Sequence, residues 1–114
     1  MRHLPRKLTI LSQAIPVVRV SALRVDEKDC YGAFSGWGPL IELDADKVDK
    51  PMGHEKIRST LLHETLHAML ELGGLCSMFE DEAEESFISR FGPLLLSFIR
   101  ENPMALLYLQ ERAP

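Results

Sequence analysis

Residues 57–70 read Ile-Arg-Ser-Thr-Leu-Leu-His-Glu-Thr-Leu-His-Ala-Met-Leu. Within this stretch Ile57, Leu61, Leu62, Leu66, Met69 and Leu70 recur at helical spacing, and Gly73-Gly74 then supplies a stop, so the pattern predicts a helix from Lys56 to Leu72. Its apolar residues occupy most of the circumference, which places the helix in the centre of the fold and not on its surface.

Inside that helix stands His63-Glu64-Thr65-Leu66-His67, an HExxH motif. The i, i+4 spacing puts both imidazoles on one helix face, one turn apart, where their nitrogens can share a tetrahedral zinc at about 2.0–2.1 Å. Glu64 projects to one side of the pair, and from there its carboxylate can take a proton from a water that the metal has acidified. A chance pair of histidines would instead leave an unpaired polar cluster in an otherwise apolar helix, which is costly. The reading is therefore a metal site with His63 and His67 as ligands and Glu64 as general base.

Zinc needs a third protein ligand, and no histidine follows in the HExxHxxGxxH manner. The acidic run Glu80-Asp81-Glu82-Ala83-Glu84-Glu85 offers carboxylates at the start of a second predicted helix, Glu80 to Ile99, in which Pro93 marks a kink or a split. At about 100° per residue, Glu84 falls within the stripe of Phe87, Ile88, Phe91 and Leu95, with Glu80 on the same face and Glu82 opposite. A carboxylate facing a core needs a partner or a metal. This singles out Glu84 as third ligand, with Glu80 and Glu85 as alternatives, although the helix dipole accounts for an acidic first turn as such.

Upstream, Leu8–Val25 is rich in Ile, Val and Leu and reads as one or two extended segments, with Pro16 at a bend or an edge. Tyr31–Gly38, with three glycines and three aromatics, reads as a turn or hairpin connection leading into a short strand at Pro39–Leu43. Asp44–Gly53 reads as a solvated loop. Downstream, Asn102-Pro103 opens a last helix running to Gln110. The expected fold class is α+β, a small sheet of a few strands in the N-terminal half packed on three helices.

The length of 114 residues suits one domain with a modest core. At 46% hydrophobic and 26% charged residues the chain is expected to fold, not to stay disordered. A net charge of −4 and a pI near 5.5 give no footprint for nucleic acid. The basic opening Arg2–Lys7 has no uninterrupted apolar run or cleavage site after it, and nothing reaches membrane-spanning length, so a cytoplasmic protein without a membrane partner is expected. Cys30 and Cys76 stand far apart outside any CxxC arrangement and read as free thiols.

The run Thr60 to Ala68, followed by a short acidic segment and a helix ending Arg100-Glu101-Asn102-Pro103, resembles the gluzincin arrangement. In size it is similar to the minigluzincins and to the ImmA/IrrE-type peptidases of phages and mobile elements. The resemblance covers about residues 55–103, and its specific part is the HExxH. It implies a zincin-like metallopeptidase domain over residues 1–114, zinc held by His63, His67 and a helix-borne glutamate, and Glu64 as base. Those peptidases carry Glu-Ala-Asn in the acidic helix where this chain has Glu84-Glu85-Ser86, which leaves the third ligand open by one position either way. They also set a strand edge beside the zinc to hold an extended peptide, a part that Gly36–Leu43 could play.

The function this implies is a zinc-dependent endopeptidase of narrow specificity, acting on a protein or peptide partner, by resemblance a phage or element repressor. Tyr31, Tyr108, His54 and Arg58 are candidates by residue type for stabilising an oxyanion. The alternative is a non-catalytic interaction protein in which zinc staples the two helices, with Glu80, Asp81 or Cys76 closing a four-ligand site. A third reading, a relict motif, predicts no bound metal.

Overall fold

A computed structural model describes residues 3–26, 28–48 and 53–113. Strands β1 (Lys7–Ile10), β2 (Gln13–Val20), β3 (Arg24–Val25), β4 (Lys28–Asp29), β5 (Gly32–Ser35) and β6 (Leu40–Asp44) precede helices α1 (Ala45–Val48), α2 (Gly53–Leu72), α3 (Asp81–Glu101) and α4 (Pro103–Gln110). The architecture is α+β: a four-stranded mixed sheet of order β1-β2-β6-β5 in the N-terminal half, then packed helices. β3 and β4 form a separate small hairpin.

Alternation along β2 buries Ile15 and Val17, and β6 buries Ile41 and Leu43 beside them. Ile57 and Ala68 of α2 close over these residues, with Leu61 and Leu72 at the margin. The sheet is thus covered on one face, as the period-two pattern of β2 requires. On its other side α2 packs against α3, where Ile88 and Gly92 are buried. The HExxH helix lies between sheet and helix, as its apolar circumference implies.

Four local readings need correction. β2 runs unbroken through Pro16, so no bend divides it; the proline sits at a locally unpaired edge, since β2 pairs with β1 up to Pro16 and with β6 only from Val17. The Val17 N–H donates to the Arg6 carbonyl at 2.9 Å. The nitrogen of Pro16 therefore faces away from β1, one residue before the β6 ladder begins, where a missing N–H is tolerated. Second, Tyr31–Gly38 is not only a connection, because Gly32–Ser35 forms β5 and only residues 36–39 turn. Third, the edge strand on the helix side is that β5, while β6 runs between β2 and β5. Fourth, the stretch after β6 begins with α1, and residues 49–52 lie outside those described.

Asp44 explains α1. Its Oδ1 accepts the backbone N–H groups of Asp46 (2.9 Å) and Lys47 (3.1 Å), an N-cap, while Oδ2 accepts the N–H of Leu23 (2.9 Å). The buried carboxylate so ties the helix start to the loop after β2. Burial alone would raise its pKa, but these three N–H groups and the Lys47 ammonium outweigh it and hold the group below its ordinary value of 3.8.

α3 runs through Pro93 without splitting. No helix among the described residues is long and apolar enough to cross a membrane.

Candidate metal centre

β5 approaches α2 at Gly32, where an added Cβ would lie 2.7 Å from Thr60 Cγ2 and 3.1 Å from Leu43 Cδ2. The bare glycine lets strand and helix close up, and one turn further along α2 the contact becomes polar: the Phe34 N–H on the strand edge donates to the Glu64 carboxylate. Glu64 is 8% exposed, and burial pushes its pKa up to about 7, with the positive charge on His67 pulling the other way. A carboxylate balanced near neutrality is what a general base requires.

His63 and His67 lie one turn apart on α2, their ring centroids 5.1 Å from each other. Glu85, from the first turns of α3, bridges them. Its Oε1 lies 2.9 Å from His63 Nε2 and its Oε2 lies 2.8 Å from His67 Nε2. One ligand atom from each of the three residues falls within 4.8 Å of the others, a His-His-Glu group that could hold a metal ion. Imidazole and carboxylate donors on two packed helices suit a divalent transition metal, and among the described residues the group has three protein ligands, which leaves a position for water.

Glu84, read from the sequence as third ligand, lies elsewhere. Its Oε2 accepts from His67 Nδ1 at 2.8 Å, on the far side of the ring from Nε2. A carboxylate there fixes the tautomer and orientation of a ligating histidine. The position drawn into the ligand group is Glu85, one of the two alternatives. Glu80 is the exposed N-cap residue of α3, outside the group. Asp81 is also outside, and Cys76 donates its thiol to Glu71.

Both ring nitrogens of His67 face carboxylates; burial lowers its pKa, but Glu84 and Glu85 more than reverse this and hold it above its ordinary value. His63 has Glu85 on one side only, and there burial prevails and lowers the pKa. Burial raises the pKa of Glu85, and the two histidines overcome it to leave the group lowered. The three side chains are electrostatically interlocked, and an ion entering the group would replace the protons between them.

The group sits at the meeting point of two cavities, which share Cys30, Gly32, His63, Glu64 and Glu85 in their walls. The first, about 820 Å³, follows the groove between α2 and α3 past Gly92 and Pro93 to Arg100. There Arg100 makes a bidentate ion pair with Glu55 at 2.8 and 3.0 Å, tying the start of α2 to the end of α3. The second, about 800 Å³, runs between the β5–β6 turn and α2, with Phe34 and Trp37 on one wall and Glu71 on the other. Of the four side chains considered for an oxyanion, Tyr31 lines the first cavity; His54, Arg58 and Tyr108 line neither.

Sequence reasoning missed the part of Glu84 as an orienting group and that of the β5 edge. Spacing from buried Ile88 alone does not separate the two glutamates, four residues before it for Glu84 and three for Glu85; Gly92 does, lying about 20° around α3 from Glu85 and about 80° from Glu84. The Phe34 contact has no comparable sequence signal, because it depends on how closely Gly32 lets the strand approach. In comparisons with known protein families, curated proteins and solved structures, nothing matches this chain.

Proposed function

We propose that this chain is a zinc-dependent hydrolase of peptide bonds, with His63, His67 and Glu85 holding the ion and Glu64 as general base. The observation that carries the reading is the open three-ligand group with a buried glutamate beside it, set between two cavities. A closed four-ligand staple would need a fourth side chain, and among the described residues none joins the group.

When bound, the ion would supply the acidity that readies a water for attack and would polarise the scissile carbonyl. The residues of the chain have separate tasks. Glu64, held by the Phe34 N–H, accepts the proton from the attacking water and passes it to the leaving amine. Glu84 holds His67 through Nδ1 so that Nε2 faces the group. The edge of β5, which pairs with no second strand among the described residues, offers its backbone groups other than the Phe34 N–H to an extended peptide, which would then run from one cavity into the other across Glu64. So small an enclosure suits a narrow range of partners, and Tyr31 is the cleft residue available to an oxyanion.

The test pairs metal analysis with a substrate screen. Wild type and Glu64→Gln should each bind one zinc, and wild type alone should cleave members of an unstructured peptide library, followed by mass spectrometry. Equal cleavage by both proteins, or zinc binding with no cleavage across the library, refutes the catalytic reading.

A further inference from the structure

α3 carries two apolar stripes, and the metal group and the α2 contact use one of them. The other consists of Phe87, Phe91, Leu94 and Phe98, at intervals of four, three and four residues, and these side chains remain 39, 37, 68 and 43% exposed. That spacing makes a narrow seam of the kind one helix presents to another. On α4, Met104 and Tyr108 stand one turn apart on one face and are each 75% exposed.

Taking a fully exposed aromatic or long aliphatic side chain as roughly 150–200 Å², these six residues on the two helices together present about 600 Å² of apolar surface. The largest patch on an ordinary monomer is about 300–600 Å². One partner's share of a standard protein interface is about 800 Å². A second copy brings an identical seam, and a helix stripe of this spacing is complementary to its own two-fold image.

We propose that two copies of this chain pair through the Phe87–Phe98 seam of α3 together with α4, in a two-fold interface. Glu85 lies about 160° and Phe87 about 0° around α3, so that glutamate and the interface occupy different faces of the helix, while Glu84, at about 60°, stands at the margin of the seam beside Phe91. Pairing would nevertheless stiffen the helix that carries Glu84 and Glu85.

Sedimentation equilibrium of the full chain at micromolar concentration tests this. Wild type should sediment at twice 12.9 kDa. Leu94→Glu, a change at a side chain exposed in the single chain, should give a 12.9 kDa species with unchanged far-UV circular dichroism and unchanged zinc content. Tyr108→Glu on α4 provides a second reading should Leu94→Glu fail to fold. Trp37→Glu, at a 96% exposed position on the β5–β6 turn, should leave the dimer intact. A wild-type monomer overturns the proposal, including one that instead captures an apolar helix from another protein. So does a dimer that survives both seam changes, or one that Trp37→Glu dissolves.

Discussion

Glu84 and Glu85 are neighbours on α3, yet they meet opposite nitrogens of His67, and exchanging each for glutamine separates their roles. With free zinc at a hundred times the wild-type dissociation constant, binding to the native state stabilises it by about 2.7 kcal/mol. In a domain of this size that is a rise of roughly 10 °C in Tm over the chelated protein. Glu85→Gln removes an anionic ligand. Structural zinc sites are worth about 10–16 kcal/mol over four ligands, so one ligand carries about 3 kcal/mol, or about a hundredfold in Kd. At the same zinc concentration the gain then falls to about 0.4 kcal/mol, a rise of about 2 °C. In Glu84→Gln the amide oxygen still accepts from Nδ1, so the loss sits at the lower end of about 10–100-fold, and a rise of about 6 °C survives. Differential scanning fluorimetry with zinc and with chelator reads all three proteins. If the zinc-dependent rise collapses in Glu84→Gln and persists in Glu85→Gln, the ligand assignment is refuted and the sequence choice of Glu84 stands.

Further outcomes follow from other contacts. Gly32→Ala drives a methyl group to within 2.7 Å of Thr60 Cγ2, so it should cost about 1–3 kcal/mol; Thr60→Ser, which deletes that methyl, should restore part of it in a double-mutant cycle by denaturant unfolding, and strict additivity would deny the contact. Ile15→Ala, at a wholly buried position between sheet and α2, should cost about 2–5 kcal/mol, and a cost near zero would mean that the sheet face is not the core. The folded-state pKa of Asp44 is lowered, so its stabilisation is present above 3.8 and lost as the pH falls through the lower folded value. Asp44→Asn should accordingly unfold at a lower temperature than wild type at neutral pH, with the gap narrowing in strong acid; a gap constant with pH would show that its charge is immaterial.

What was legible in the sequence depended on the range of the interaction that set it. α2 was legible because its cause is local: a helical apolar period, a Gly-Gly stop, and a motif whose geometry is fixed by i, i+4 spacing. The placing of His63, Glu64 and His67 followed from that alone. The third ligand depended on which face of α3 turns inward. The sequence there reads as one stripe of Phe87, Ile88, Phe91 and Leu95, which centres near Glu84. The stripe that packs on α2 contains Ile88 and Gly92, and a glycine gives no hydrophobic signal. Gly92 is buried because α2 comes close, with Leu66 Cδ1 3.7 Å from where its Cβ would stand. Glu84 thus follows from a stripe without Gly92, and adding Gly92 turns the packed face toward Glu85. β5 hid for a related reason: Gly32 and Gly36 punctuate a four-residue strand, and it is the absence of a side chain at Gly32 that seats the strand on Thr60 and brings the Phe34 N–H to Glu64. Gly32 marks a close approach between elements and Gly92 an ordinary packed contact, and the apolar pattern reports neither. A glycine flanked by hydrophobic residues at element spacing is therefore evidence of a packed face, and here it would have pointed to Glu85.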